Sequence, residues 1–564
     1  MEYKKWGNSE GKVGYKMNEL RPKLFSVMKT YSKEQLIKDI ISGIIVAIIA
    51  LPLSIALALA SGVTPEKGLY TAIVAGFVIS FLGGSRVQIA GPTAAFATIV
   101  AGIVAKDSGM DGLIVATIMA GIILIIMGFV RFGSLIRFIP YTITTGFTTG
   151  IAVTIVIGQI KDFFGLTFQH APVETMEKLK EVIACFSTYN WQALAIGALS
   201  LAILIFWPKI NAKIPPSLIA VLVASALVAI LPIQVNTIGS LYEISSSIPT
   251  PHMPAISMPL IKELLPDAFT IAILAAIESL LSCVVADSMI GDRHFSNMEL
   301  IAQGAGNICS GLFGGIPATG AIARTAANIK NGGRSPIAGM VHAVVLLLVL
   351  VVLMPYAKLI PMPTIAAILF MVAYNMSEWR KFVSLVKTAP KSDSFVLILT
   401  FLLTVIFDLV VAIELGIVIT VFLFMKRMAD VTNVSEWVYP ADSEATKKNL
   451  KKVPKNTKVF EITGPMFFAA ADKLLSVTGH SSHDIIILRM RSVPAMDASA
   501  LNSLTSVYHA CEKTNTTLIF SHVNPQPMSV MKKAGFDKLV GKENFCANID
   551  EALKRAEKLQ NMSK

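Results

Sequence analysis

The chain has 564 residues, of which 54% are hydrophobic and only 15% are charged, and its formal net charge is +12. Because soluble domains carry about 25% charged residues, this composition excludes an ordinary soluble protein and indicates a chain embedded in a lipid bilayer. The surplus of positive charge is expected to face anionic lipid headgroups, so nucleic acid is not expected as a partner.

Residues 1–38 form a polar, lysine-rich segment, and the following run, residues 40–65, carries no charge. That run is too long for the apolar region of a signal peptide, so no cleavable signal peptide is expected. Lysine-rich flanks stay in the cytoplasm, and the last apolar run ends at Lys426-Arg427 on the same side. The membrane domain, residues 39–428, is therefore predicted to cross the plasma or bacterial inner membrane an even number of times, with both termini cytoplasmic.

Two glycine-rich breaks interrupt the apolar runs. The first covers residues 83–93 and contains Gly91-Pro92, and the second covers residues 314–320 and is followed by Arg324. Lipid cannot hydrogen-bond to freed N–H and C=O groups, so irregular backbone inside a membrane is expected only where it lines a cavity. A break in each half is typical of transporters whose substrate lies between two half-helix N-termini. Those N-termini carry partial positive charge, which predicts a small anion as the substrate.

The length rule predicts about 14 membrane segments, two of them half-helices. Their approximate centres are residues 50, 76, 99, 121, 152, 199, 223, 277, 306, 325, 345, 368, 400 and 418. A division into seven plus seven places each break in the third segment of its half. Because seven is odd, the second half would cross the membrane in the opposite sense, which predicts a polytopic α-helical membrane protein with a 7+7 inverted repeat.

The composition changes near Met428, after which charged residues become frequent and apolar runs shorten. Residues 429–564 are predicted to form a small cytoplasmic α/β domain in which strands alternate with helices. Residues 431–454 are expected to be its linker or leading strand, and Asp497 is expected to be a helix N-cap. The strand-like runs are Lys458–Ile462, Ile485–Leu488 and Thr517–Phe520, and the helix-like stretches are Ala469–Val477, Ser499–Glu512 and Met528–Ala534.

Several motifs, in order along the chain, resemble those of the SulP anion permease family (sulfate permease-like). They are Leu51-Pro52-Leu53-Ser54-Ile55-Ala56-Leu57-Ala58, the run from Gly62 to Tyr70, the segment from Gly84 to Thr93, and Ala323-Arg324-Thr325. The C-terminal part resembles a STAS domain. The resemblance implies that the fold is divided into a core and a gate domain, that the core moves against the gate like an elevator, and that the protein is a homodimer.

Four residues beside the breaks are candidate substrate-binding residues. Thr93 and Ala94 follow a proline that suits a first helical turn, so their N–H groups and the Thr93 hydroxyl are placed to hold an oxyanion. Arg324 follows Ala323 in the second half-helix, and a buried arginine in a membrane usually lines a cavity or pairs with a partner. Arg324 is therefore expected to add positive charge to the anion site or, alternatively, to pair with an acid such as Glu278.

Glu278 is the candidate ion-coupling residue, because it is the only acid in the apolar stretch Ala268–Ala286. An apolar environment favours the neutral form of a carboxyl group, so Glu278 is expected to take up H+ together with the anion. Ser282 lies one helical turn further on the same face. An ionised Glu278 with the Ser282 hydroxyl is the alternative, a site for Na+.

The resemblance also places Leu53 and Leu57 at the substrate site. Many relatives have a polar glutamine at the first position, and an aromatic residue is common at the second, so this wall of the pocket is expected to be less polar here. Backbone N–H groups would then contribute more of the recognition.

In anti-sigma-factor antagonists, which share the STAS fold, the first serine of Asp-Ser-Ser-Gly is phosphorylated. This chain has Ala498 at that position, so the phosphorylation switch is expected to be absent. Two roles stay open for the domain: a docking or regulatory surface, and a structural tail that aids folding or dimerisation.

Together these patterns predict a secondary active transporter of sulfate, bicarbonate or a small dicarboxylate, coupled to H+ by symport. The alternatives are a Na+-coupled bicarbonate transporter, a nucleobase permease of related fold, and a membrane-anchored signalling protein. The eight histidines are scattered, the five cysteines have no CxxC spacing, and phosphate-loop and nucleophile-elbow motifs are missing. No enzyme activity, cofactor or metal is therefore expected.

Overall fold

The computed structural model describes residues 20–134, 140–170, 172, 174–211, 214–243, 245–407, 409–436, 453–468 and 484–562. The chain folds into two compact units, Met1–Ile417 and Val418–Lys564. Residues 1–19, half of the predicted N-terminal segment, lie outside the described residues, as do most of the predicted linker and the helix predicted over Ala469–Val477. The predicted domain boundaries, at residues 38 and 428, stay predictions.

The first unit is helical. Among the described residues, seven of its helices are long and apolar enough to span a membrane. Its first half contains α1 (Lys23–Val27), α2 (Lys33–Ala60), α3 (Pro65–Leu82), α4 (Ala97–Val104), α5 (Gly109–Phe129), α6 (Tyr141–Phe164), α7 (Thr175–Cys185), α8 (Trp191–Ile210) and α9 (Pro216–Ile230).

The second half begins after the single-turn helix α10 (Ile238–Leu241). It contains α11 (Met258–Ile290), α12 (Ser296–Leu312), α13 (Ile322–Lys330), α14 (Ile337–Leu353), α15 (Met362–Ser377), α16 (Trp379–Thr388), α17 (Lys391–Ile406) and α18 (Leu409–Val431). The last of these helices crosses the boundary between the two compact units.

All the predicted segment centres fall inside these α-helices, and the two predicted half-helices are the short helices α4 and α13. The two halves also share a feature that the sequence analysis did not identify. A short helix, α7 or α16, follows the fifth membrane segment of each half. The polytopic helical fold built from two equivalent halves is thus confirmed.

The membrane helices pack mostly within two groups. One contains α2, α3, α5, α11, α12, α13 and α14, and the other contains α6, α8, α9, α15 and α17. Small residues allow the closest approach in the first group: a Cβ at Gly121 would lie 2.6 Å from the carbonyl oxygen of Gly304. Small residues at helix interfaces are characteristic of membrane proteins, where apolar lipid provides no hydrophobic driving force between helices.

The two breaks are paired with each other. Strand β1 (Ala90–Gly91) lies antiparallel to β2 (Thr319–Gly320), with Ala90 opposite Gly320 and Gly91 opposite Thr319. Each strand is followed by its half-helix, so the pairing brings the N-termini of α4 and α13 to the same region. This pairing satisfies backbone groups that lipid would leave unpaired.

The second unit contains a five-stranded sheet among its described residues. The strands, in sheet order, are β3 (Asn433–Glu436), β4 (Thr457–Thr463), β5 (Ile485–Ser492), β6 (Thr517–Ser521) and β7 (Phe545–Cys546). Only β3 is antiparallel to its neighbour. The helices are α19 (Ala498–Lys513), α20 (Pro525–Lys533), α21 (Phe536–Val540) and α22 (Ile549–Met562). The three predicted strands and two of the predicted helices are confirmed.

Candidate anion-binding site

The site is built around the paired strands, whose backbone N–H groups donate to buried side chains. The Thr325 hydroxyl accepts from Ile89 N at 3.0 Å, and the Ser279 hydroxyl accepts from Gly320 N at 3.0 Å. The Ala321 N–H donates to the carbonyl oxygen of Ile89 at 2.9 Å. These contacts fix the second break to α11 and the two breaks to each other.

Neither half-helix has a side-chain N-cap in the part of the chain that the structure describes. A 3-10 turn, Ala94–Phe96, precedes α4 and has Thr93 as its N-cap residue, while Ala321 is the N-cap residue of α13. The first N–H groups of a helix have no partner within the helix, and the helix dipole adds partial positive charge at this end. The arrangement therefore offers two sets of donors to an anion.

Arg324 connects the two breaks. It lies in α13 with 2% of its surface exposed, and its Nη2 donates to the carbonyl oxygen of Pro92 in the other break. Its Nε and Nη1 atoms are buried and have no hydrogen-bond partner among the described residues. The guanidinium occupies the space that a side chain at Gly91 would take, since a Cβ there would lie 2.6 Å from Arg324 Nη1. Buried polar atoms usually have a partner, so unused guanidinium donors indicate a place for a ligand.

Glu278 faces the first half-helix. Its Oε2 accepts a hydrogen bond from the Thr93 hydroxyl at 2.9 Å. Within the described residues no ion pair at 4.0 Å or closer joins its carboxylate to Arg324. Each of the two side chains instead contacts the first break, Glu278 through Thr93 and Arg324 through Pro92. Pairing of the two charges therefore stays an open alternative.

The other predicted site residues take different positions. The Ser282 hydroxyl is buried and donates to Thr325 Oγ1 at 3.4 Å, and no hydrogen bond joins it to Glu278 in the described part of the chain. Ala94 is 6% exposed, and Ala323 is exposed at the start of α13. Roles for these residues in binding stay predictions.

The two leucines that the resemblance assigned to the site lie in α2, and Leu53 directly follows Pro52 inside that helix. Leu57 is buried, and Leu53 is partly buried. Their place in the binding site also stays a prediction.

Sequence reasoning missed Glu299, a fully buried acid on α12. Its Oε2 accepts from Gly84 N at 2.9 Å and from Ser85 N at 3.2 Å. Its Oε1 accepts from Gln88 Nε2 at 3.0 Å and from Gln303 Nε2 at 2.8 Å. The carboxylate thus anchors the glycine-rich segment that leads into β1, and its position in an otherwise uncharged helix was the signal that could have identified it.

Two buried asparagines complete this framework. Asn307 binds both the N–H (2.8 Å) and the C=O (2.9 Å) of Ala318, just before β2. Asn328 donates to the carbonyl oxygen of Val87 at 2.8 Å and accepts from the Ser42 hydroxyl at 2.7 Å. Such amides replace the water that irregular backbone would otherwise need.

In the second unit, the predicted cap is confirmed: Asp497 Oδ1 accepts from Ala500 N at 2.9 Å at the start of α19. Its Oδ2 accepts from Phe468 N at 3.0 Å, which ties a neighbouring loop to the helix start. Ala498 is the first residue of α19 and is exposed.

Comparison with known proteins identifies both parts of the chain. The model of the sulfate permease family matches residues 36–400, and the STAS domain model matches residues 448–552. A Bacillus subtilis (strain 168) protein named "Putative sulfate transporter YvdB" is 39% identical over 528 residues, which are 93% of this chain and 98% of that protein. The bicarbonate transporter BicA of Picosynechococcus sp. is 30% identical over 540 residues, which are 92% of this chain and 94% of that protein.

A solved structure shares the whole fold. The murine Solute Carrier 26 family member A9 anion transporter matches with a TM-score of 0.86 at 20% identity, over 99% of this chain and 97% of that chain. These relatives are named as transporters, not as enzymes. The chain therefore belongs to the sulfate permease family of membrane anion transporters and contains a STAS domain.

Proposed function

We propose that this protein is a secondary active transporter that binds a small oxyanion between α4 and α13 and carries it together with H+. The observation that carries the proposal is the buried guanidinium of Arg324, which reaches from one break to the other with two nitrogen atoms unpaired. A buried charge inside a membrane is costly, and a ligand of opposite charge offsets that cost.

The chemistry of the site favours an oxyanion. Two uncapped helix N-termini and one guanidinium provide donors on several sides, and oxygen atoms of sulfate, bicarbonate or a small dicarboxylate can accept them. The names of the relatives support sulfate and bicarbonate as the first substrates to test. A nucleobase lacks the negative charge that Arg324 would balance.

Coupling to H+ is assigned to Glu278. When the carboxyl group is protonated, the Arg324 charge is left for the anion, and when it is ionised, the carboxylate competes with the anion for the same positive field. Binding of one H+ and one anion would therefore reinforce each other. Because the Ser282 hydroxyl is engaged by Thr325 instead of facing Glu278, the observed contacts support H+ more than Na+.

Transport would follow from relative motion of the two helix groups. The group that contains α11 and α13 carries the site residues Glu278 and Arg324, while the group around α6 and α15 contains none of the polar site residues. A rigid displacement of the first group against the second would move the bound anion without breaking the β1–β2 pairing. A homodimer and cytoplasmic termini are part of the same proposal.

The test is uptake of labelled sulfate, bicarbonate and fumarate into proteoliposomes made with wild-type protein, Arg324→Gln or Arg380→Gln. Arg380 is exposed in α16 and provides a matched loss of one positive charge. Saturable uptake of at least one anion by wild type and Arg380→Gln, with loss in Arg324→Gln, supports the proposal. Unchanged uptake by Arg324→Gln would exclude Arg324 from the site.

A further inference from the structure

A polar cavity lies apart from the site between the half-helices. It has a volume of about 310 Å³ and lies where the N-terminal segment meets the ends of several helices. Lys23 N donates to the carbonyl oxygen of Gly83 at 2.9 Å, and Gln35 Nε2 donates to that of Gly332 at 3.0 Å. The lining residues are Val27, Thr30, Tyr31, Ser32, Gln35, Arg86 and Arg334.

Two arginines face this cavity, and both are anchored by the protein. Arg334 Nη1 donates to the carbonyl oxygens of Ile329 and Gly333, both at 2.7 Å. Arg86 Nη1 lies 3.7 Å from a carboxylate oxygen of Asp292, and Arg86 Nε is buried with no partner among the described residues. Each guanidinium has five N–H donors, so these contacts leave donors free for a ligand.

A buried carboxylate beside the cavity, that of Asp39, is already engaged. Buried Asp39 accepts from Tyr31 Oη at 2.7 Å, from Gln35 Nε2 at 3.0 Å and from Arg334 N at 2.8 Å. Burial, with the neighbouring Asp39 carboxylate, raises the pKa of Tyr31 to about 12, so the phenol stays a donor. This carboxylate is thus engaged by internal donors.

Lys23 Nζ lies 3.3 Å from Asp292 and shares that carboxylate with Arg86. The cations Lys23, Arg86 and Arg334 therefore outnumber the carboxylates Asp39 and Asp292 around the cavity.

The hydroxyl groups add the remaining polar surface. Thr30 and Ser32 are exposed, and the Ser32 side chain also caps α2 by accepting from Gln35 N at 3.2 Å. Paired guanidinium groups with nearby hydroxyl donors match the tetrahedral oxygens of a phosphate group. From these contacts we propose that the cavity between Arg86 and Arg334 binds a phosphate group.

Two sources of that group share the same chemistry: the headgroup of an anionic phospholipid and free inorganic phosphate. The purified full-length protein is melted in detergent micelles that contain phosphatidylcholine, phosphatidylglycerol, or phosphatidylcholine with added inorganic phosphate. A ligand that binds the folded state raises the melting temperature by an amount that grows with the logarithm of its concentration above the dissociation constant. The apparent dissociation constant of each probe follows from its concentration dependence.

Three variants decide whether the cavity is responsible. The double variant with Arg86→Gln and Arg334→Gln removes both guanidinium charges of the cavity. Ser32→Asp adds a carboxylate to the cavity wall while retaining a residue that caps helices well. Lys330→Gln removes an exposed charge at the end of α13, outside the cavity, and is the control. The double arginine variant and Ser32→Asp are each expected to weaken the apparent affinity for the probe at least tenfold. The first loses charge-assisted contacts with the phosphate group, and the second places a carboxylate that repels it.

Stabilisation of wild type and Lys330→Gln by phosphatidylglycerol alone, reduced in the cavity variants, supports a lipid headgroup as the ligand. The same pattern with inorganic phosphate supports the free ion. An absence of stabilisation by either probe would overturn the proposal. So would an equal effect on Ser32→Asp and the control, because the retained cap keeps this variant folded even where the double arginine variant unfolds.

Discussion

A methyl group added at Gly91 tests how strand β1 positions Arg324. In Gly91→Ala the new Cβ would lie 2.6 Å from Arg324 Nη1 and 3.4 Å from Ala72 Cα. Ordinary contact begins near 3.4 Å, so the guanidinium must retreat from 2.6 Å to about 3.4 Å, a displacement of about 0.8 Å. The backbone φ of Gly91 is +155°, a conformation that costs a residue with a side chain on the order of 1–3 kcal/mol.

The displacement weakens both the contact of Arg324 with the carbonyl oxygen of Pro92 and its contact with a bound anion. A hydrogen bond to a charged group is worth about 1.5–3 kcal/mol, and every 1.4 kcal/mol changes an affinity by about tenfold. The KM for the transported anion is therefore expected to rise roughly 10- to 100-fold.

The assay is initial anion uptake into proteoliposomes over a range of substrate concentrations. The matched control is Gly102→Ala in α4, because a Cβ at Gly102 has no neighbour within 4 Å and alanine is favoured over glycine inside a helix by roughly 0.5–1 kcal/mol. This control should retain the wild-type KM. A well-folded Gly91→Ala protein with the wild-type KM would refute the argument that β1 positions Arg324.

Three further changes have outcomes that follow from single contacts. Glu299→Gln presents an NH2 group to N–H donors and should lower the free energy of unfolding by at least about 2 kcal/mol, so an unchanged melting temperature would contradict the anchoring role. Asp497→Ala should lower the free energy of unfolding by about 1 kcal/mol through loss of the α19 cap, and Asp497→Asn should lower it less. Thermal unfolding of the full chain measures both variants, and equal losses would argue against capping. The pKa of Tyr31 in the folded protein is about 12, above its usual value of 10.0. The stabilisation that the protonated Tyr31 side chain gives to the folded state is therefore complete below pH 10 and is lost as the pH rises from 10 to 12. The melting temperature of wild type should fall more steeply over that range than that of Tyr31→Phe, and parallel curves would contradict this account.

The helices and breaks could be predicted because their signals are local. Charge-free runs of sufficient length identify membrane helices, and glycine and proline show where they stop. Arg324 and Glu278 were found for a related reason: each is a single charge in an apolar stretch. The strands of the second unit followed from short apolar runs between polar turns.

The contacts that shape the site could not be predicted, because they join residues far apart in sequence. Glu299 accepts from Gly84, which lies 215 positions earlier, and nothing near either residue specifies the other. The spacing of Glu278 and Ser282 places them one helical turn apart, but their hydrogen-bond partners are supplied by Thr93 and Thr325 on other elements. Periodicity predicts which face a side chain occupies, and only the packed neighbours decide what it binds.

The most direct test of the central claim measures labelled-sulfate uptake into proteoliposomes with and without an inward proton gradient, for wild type and Glu278→Gln. We expect the gradient to accelerate uptake by wild type, and uptake by Glu278→Gln no longer to respond to it. Fumarate and bicarbonate replace sulfate if wild type transports one of them instead. A gradient response of equal size in Glu278→Gln would contradict H+ coupling through Glu278.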